Sequence, residues 1–461
     1  MATVIRNQKP LATSPIKSGQ PLGAILASLG LEHAMPLVHG AQGCSSFAKV
    51  FFIQHFREPV PIQSTAMDPT TTVMGSDENI VTALTTLCGK HSPGIIVVIS
   101  TGLSEAQGAD LSRAIGQFRE TETRFKSVAI LTVNTPDFYG SLENGFSTLV
   151  EQVITQWVPA EPQPRQRNKR VNILLSHSTT PGDIELIRTY VEAFGLQPVI
   201  LPDLSMSMDG HLALGDFTPV SQGGTALRAI ERMGQSMGTV VIGGSLSRAA
   251  SLMQQRSRGD VLALPHLMTL AEVDKFISYL HQLSGHDVPD WITRQRGQLQ
   301  DAMIDCHLWL QGRHIALAGE SDVLSAWSDF AVSQGMVPGP VIAATNQQGL
   351  ATLPVDQVKI GDLEDMENML ASVPADLLVC NSHGADLAQR MKIPLIRAGF
   401  PIYDQIGTFR RMRQGYAGIR DTLFELANLM QERHHHTPVW RSPLKQQFAG
   451  SADKEQVHAS C

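Results

Sequence analysis

The residue types and spacing that most readily suggest chemistry lie at His39-Gly40-Ala41-Gln42-Gly43-Cys44. Met35-Pro36-Leu37-Val38 reads as a short buried strand ahead of this stretch, and Phe47 to Phe56 reads as an apolar helix behind it. The order of strand, glycine-rich turn and helix predicts Cys44 on a turn, facing the free N–H groups and positive end of that helix. Both features favour the thiolate, the form of cysteine that binds metal. The plain alternative is a small cysteine packed at a turn, with His39 a satisfied core histidine hydrogen-bonded nearby.

Ligand counting narrows what Cys44 can do. An iron–sulfur cubane commonly takes four thiolates. The five cysteines, Cys44, Cys88, Cys306, Cys380 and Cys461, are far apart and contain no C-x-x-C pair. Cys88, Cys306 and Cys380 read as core residues, and Cys461 ends a polar tail. If Cys44 holds a cluster, most of the other ligands must come from another polypeptide. The odd count excludes a disulfide framework or zinc module and predicts a reduced, cytosolic setting.

Other candidates are weaker. His383 in Asn381-Ser382-His383-Gly384 follows a predicted strand, and His434-His435-His436 reads as a solvated helix end. Asp362, Glu364 and Asp365 fall in a helix candidate and read as surface carboxylates. The turns Ser100-Thr101-Gly102-Leu103-Ser104, Gly243-Gly244-Ser245-Leu246-Ser247 and Gly319-Glu320-Ser321-Asp322 carry the small residues that any βα turn needs. None matches a dinucleotide or P-loop fingerprint, which counts against a stand-alone nucleotide enzyme.

The elements that must position these residues alternate between apolar strands and helices. That pattern predicts an α/β chain of three Rossmann-like domains, with parallel sheets covered by helices. Residues 18–160 form the first unit and carry Cys44; residues 171–290 form the second. Residues 291–433 hold a bridging helix, a third unit and a C-terminal helix, and 434–461 is a polar tail. Between the first two units, Val158 to Arg170 is proline-rich, basic and aperiodic, as a linker would be.

At 461 residues, with 43% apolar and 17% charged residues, the chain can fill large cores. A net charge of −7 gives no case for nucleic acid or an anionic membrane surface. The longest apolar runs, such as Ile95 to Ile99, are strand-length and too short to span a bilayer. Met1 to Gln20 has no apolar core of the kind a signal peptide needs.

The Cys44 stretch resembles the first P-cluster cysteine motif of the β-type subunits of the nitrogenase molybdenum–iron protein. The run Arg296 to Arg313, continuing through Ile315 to Asp322, looks like the same family's junction between helix and third domain. Ala398-Gly399-Phe400-Pro401-Ile402-Tyr403-Asp404 looks like its late Gly-Phe-Pro motif. The resemblance runs from about Ser18 to Arg433 in one order, and the chain is identified as a member of the nitrogenase component 1 family.

The departures carry most of the functional content. Catalytic β subunits have two further cluster cysteines. Here Glu58-Pro59-Val60 continues as Pro61-Ile62-Gln63, and Ser100-Thr101 continues as Gly102-Leu103-Ser104. A P-cluster could not be ligated in the usual way. The resemblance therefore implies the β-like subunit of the scaffold that matures the iron–molybdenum cofactor for nitrogen fixation. The alternatives are a catalytic nitrogenase β subunit or a protochlorophyllide-reductase-like oxidoreductase.

The family further implies a heterotetramer with a NifE-like subunit and a [4Fe–4S] cluster shared between subunits. Cys44 would be this chain's one metal ligand, with three cysteines from the partner. The iron–molybdenum cofactor precursor would be held mainly by the partner. The nitrogenase Fe protein and, transiently, the apo molybdenum–iron protein would be further partners. No catalytic residue is assigned. Gly40, Gly43 and the helix from Phe47 would give close backbone approach and a dry shell around the sulfur.

Overall fold

The structure is a computed structural model that describes residues 2–6, 9, 11–160, 168–212, 218–257 and 259–435. The middle of the predicted linker and the tail from His436 lie outside these residues. Strand β1 (Thr3–Ile5) belongs to the last of three sheets. The first sheet is built from β2 (Ala34–Val38), β3 (Gln63–Ser64), β4 (Ile95–Ile99) and β5 (Ala129–Val133), in the order β3-β2-β4-β5. The second contains β6 (Arg170–Leu175), β7 (Gln197–Leu201), β8 (Gly238–Ile242) and β9 (Asp260–Leu264), in the order β7-β6-β8-β9.

The third sheet contains β10 (His314–Gly319), β11 (Val337–Ala343), β12 (Gln357–Ile360), β13 (Leu377–Cys380) and β14 (Leu395–Arg397). Its order is β1-β12-β11-β10-β13-β14. Every strand pairing is parallel, as expected for strands separated by helices. The expected α/β class with helix-covered parallel sheets is therefore observed.

Strand periodicity divides the apolar residues between two faces. In β4, Ile95, Val97 and Ile99 face a core shared with the other two units. Ile96 and Val98 join Met35 and Leu37 in a separate cluster on the outer face. In the third sheet, Ile315 and Leu317 face the shared core, whereas Ala316 and Ala318 face an outer cluster. The inner faces of all three sheets thus close on one continuous apolar core.

Two sequence-based expectations change. No element was expected ahead of residue 18, yet Thr3–Ile5 pairs with β12 and adds an edge strand to the third sheet. This segment also buries carboxylates expected at the surface. Lys9 Nζ lies 2.9 Å from Asp362 and 3.3 Å from Asp365, whose side chains are almost wholly buried; Glu364 stays half-exposed. Asp362 and Asp365 also close a capping box on the helix Leu363–Ser372, so their charges are paired and hydrogen-bonded. In the second unit, Leu227–Ile230 forms only a short helix, followed by a 3₁₀ turn. There Thr225 ties the second unit to the first, donating to Gly30 and Ile200 carbonyls.

The helices Gln20–Leu29 and Leu142–Trp157 cross at two glycines. A Cβ on Gly145 would lie 1.9 Å from the Gln20 carbonyl oxygen, and one on Gly23 would lie 1.8 Å from the Leu142 carbonyl oxygen. Both obstacles are backbone, so the helices must separate to admit a methyl group. Gly145→Ala should destabilise the chain by about 1–3 kcal/mol through overpacking. Thermal melting checks this; an unchanged melting temperature would show that the crossing is looser than its geometry.

Candidate functional site

Strand β2 ends at Val38, and the chain turns through His39, Gly40 and Ala41 into the helix Gln42–Phe56. Ala41 is its N-cap. The helix therefore begins five residues earlier than expected. Cys44 lies inside its first turn, its N–H donating to the Ala41 carbonyl at 3.1 Å, rather than on the turn before it. The thiol is exposed. Ser45, Ala48, Phe52 and Phe56 form the buried stripe of this helix. Its other side presents Phe47, Val50 and Ile53 to solvent, with Phe47 61% exposed. Cys44 thus sits at the end of an apolar, uncovered helix face.

The turn is held rigidly from behind. The Thr101 hydroxyl donates to the His39 carbonyl at 2.9 Å. A Cβ on Gly40 would stand 2.8 Å from Thr101 Oγ1 and 2.9 Å from its Cγ2, so glycine permits this approach. Gly43 differs: nothing lies within 4 Å of the corresponding position, and the close approach expected there is absent. His39 is fully buried, with Nδ1 2.9 Å from Thr65 Oγ1 and Nε2 3.0 Å from Ser76 Oγ. Burial pushes its pKa down to about 4, so the ring is neutral at pH 7.

The positions where the family resemblance places further cysteines carry no sulfur. Ile62 is completely buried in the shared core. Gly102, Leu103 and Ser104 open a short helix, Gly102–Gln107, where only a turn was expected. Cys88, Cys306 and Cys380 are buried, as expected of core residues, and burial raises each thiol pKa.

His383 comes closer to the Cys44 helix than its sequence position suggests. Its ring centroid lies 6.3 Å from that of Phe51 and 6.0 Å from that of Tyr403. All three line an open cavity of about 410 Å³ that also reaches Phe47. His434 and His435 continue the last helix, while His436 lies outside the described residues.

Sequence reasoning missed a second cluster. Glu143, His177 and Asp322 come from the three different units, are all buried, and have ligand atoms within 4.8 Å of one another. Only the acidic Glu320-Ser321-Asp322 at a helix start hinted at it. Burial, followed by the charges of Asp322 and Glu320, raises the Glu143 pKa well above the usual carboxylate range. Burial raises Glu320 to about 7.

The spacing Gly234-Gln235-Ser236-Met237-Gly238 also matches the nucleophile-elbow pattern. It precedes strand β8 rather than following one, and Ser236 Oγ donates to Asn172 Oδ1 at 2.8 Å. Its role is structural.

Comparison with known proteins gives a uniform result. Residues 19–431 match the family model for nitrogenase component 1 type oxidoreductases. A Klebsiella pneumoniae protein named "Nitrogenase iron-molybdenum cofactor biosynthesis protein NifN" is 66% identical over 460 residues, covering 100% of both chains. A protein of the same name from Rippkaea orientalis is 38% identical over 95% of this chain and 98% of its own. A solved chain titled "Nitrogenase Cp1 at pH 6.5" superposes with a TM-score of 0.86 at 28% identity, covering 94% of this chain and 98% of that one.

Neutral, buried His39 makes the turn acid-sensitive. Its pKa is lower folded than the ordinary 6.5, so the unfolded chain takes up the proton first. The stability it contributes is fully present above pH 6.5 and is lost as pH falls towards 4. Between pH 6.5 and 5 the loss is roughly 2 kcal/mol. His39→Gln should shrink the drop in melting temperature between pH 7 and 5; an identical drop in both proteins would locate the acid sensitivity elsewhere.

Proposed function

The chain belongs to the nitrogenase component 1 family, and from that membership we propose that it is the β-like subunit of a scaffold for iron–molybdenum cofactor biosynthesis. Cys44 supplies its one ligand to a [4Fe–4S] cluster shared with the partner subunit. The observation that carries this reading is an exposed cysteine bordering the apolar face of Phe47, Val50 and Ile53. Surface of this kind calls for a covering partner. Among the described residues the other three cysteines are buried, so the fit is to one corner of a cluster and not to a whole one.

The partner is a NifE-like chain, in a two-plus-two heterotetramer that works in the cytoplasm and holds the cofactor precursor mainly on the NifE-like side. The nitrogenase Fe protein and the apo molybdenum–iron protein engage it in turn. When bound, the cluster supplies an electron-accepting centre and a covalent tie between subunits. This chain's own contribution is positional. His39, Gly40 and Thr101 fix the turn, the helix directs the thiol outward, and the apolar face excludes water once covered. Ile62 and the Gly102–Ser104 stretch weigh against a catalytic β subunit, because two thiolates of its larger cluster would be missing.

Co-expression with the partner and anoxic purification test the reading through iron, acid-labile sulfide and EPR. Cys44→Ala should lose or perturb the shared cluster, and the chain purified alone should hold little iron. A full cubane on the isolated chain, or an unchanged spectrum in the variant, would overturn the ligand assignment. Phe47→Glu should weaken partner association on the order of a hundredfold, as loss of an aromatic anchor does. Sedimentation of the complex measures it, and unaltered assembly would move the interface elsewhere.

A further inference from the structure

We propose that Glu143, His177 and Asp322 bind a divalent first-row transition-metal ion at the junction of the three domains. Glu143 is the second residue of the helix Leu142–Trp157, in the first unit. His177 lies in the turn after strand β6, in the second. Asp322 is in the first turn of the helix Ser321–Ser333, in the third. Their ligand atoms lie within 4.8 Å of one another, and all three side chains are buried. Donors around one tetrahedral ion stand about 3.4 Å apart, so small side-chain rotations would complete the site.

The carboxylates alone would not make a site, because their partners explain them. The Asp322 N–H donates to Glu143 Oε2 at 3.0 Å, and the Ser321 hydroxyl donates to Glu143 Oε1. The Ser245 N–H and hydroxyl donate to Asp322 at 3.0 and 2.6 Å. These bonds leave each carboxylate oxygen a second lone pair and fix its direction, as the surrounding hydrogen bonds of metal ligands do.

His177 is what this network does not explain. It is only 7% exposed, and neither Nδ1 nor Nε2 has a hydrogen-bond partner among the described residues. Carboxylate oxygens of Asp322 and Glu143 lie within 4.8 Å of the ring, beyond hydrogen-bond reach, while Phe146 covers the ring edge-on at 6.2 Å. A buried imidazole left without a hydrogen bond is costly, and coordination to a cation removes that cost. Glu320, its hydroxyl partner Ser141 at 2.6 Å, adds a third carboxyl group nearby. A bound divalent ion would hold these carboxyl groups in their charged form, in place of the protons that burial favours. One imidazole nitrogen and two carboxylate oxygens suit zinc, iron(II), manganese or cobalt rather than copper(I) or an iron–sulfur cluster. No cysteine takes part, so the site stands or falls separately from Cys44.

The test is titration of chelator-stripped, full-length chain with Co(II), read by visible absorption and by bound metal per chain. The expected result is one saturable equivalent in the wild type. His177→Phe, which keeps a ring but removes both nitrogens, should abolish it, and Glu143→Gln should weaken it at least ~10-fold. Exposed His211→Ala should bind normally. Melting of the stripped proteins guards against misfolding: His177→Phe should melt no lower than wild type, since it removes an unpartnered polar ring. Should it misfold, near-isosteric Asp322→Asn gives the same comparison and should likewise lose the equivalent. Absence of saturable binding to the wild type, or undiminished binding in His177→Phe or Asp322→Asn, would overturn the proposal.

Discussion

Much of the molecule depends on a helix of one unit being capped by a side chain from another. The helix Ser321–Ser333 receives no side-chain cap from its own N-cap residue, Glu320. Glu143, from the first unit, accepts hydrogen bonds from its first two residues instead. Asp322, in the same turn, accepts from Ser245 of the second unit. Separating the units would therefore expose free helix N–H groups and strip buried carboxylates of their donors together. The continuous apolar core supplies most of the attraction between the units, but it is non-directional. The capping network sets their register.

That dependence explains which parts were legible in the sequence. A run such as Ile95 to Ile99 specifies a buried parallel strand, because every side chain is apolar whichever face it takes. The order of strand, turn and helix around Cys44 was equally visible. The start of the Cys44 helix was not, because Gly43 and Cys44 are poor helix formers and no Ser, Thr, Asp or Asn stands just before Gln42 to signal a cap. The helix starts there because Gly40 can press against Thr101, a contact 61 residues away in sequence (101 − 40).

The carboxylates depart from the expected surface position for a related reason. Asp362 and Asp365 follow the spacing of a solvated helix start, and local sequence does not reveal that Lys9 comes to cover them. Glu143, His177 and Asp322 carry no spacing signal at all, since each belongs to a different unit. Periodicity reports how one element meets the core. A cluster assembled from three elements becomes visible only after the units have docked.

The two polar centres consequently answer different physical demands. Cys44 is rigid behind and open in front: its turn is pinned by buried His39 and by Thr101, while its helix turns Phe47, Val50 and Ile53 outward. An isolated chain gains nothing from an exposed apolar face, which costs solubility, so its value lies in association. The triple junction is the reverse, closed in front and joined to every unit, and its orphaned imidazole has no use for a protein partner. Ile62 shows how the two demands can diverge within one fold. A buried aliphatic side chain at a family cysteine position strengthens the shared core and removes a thiolate at the same stroke. On the proposed reading, the same architecture is thereby left with a single corner of a cluster, which only a second subunit would complete.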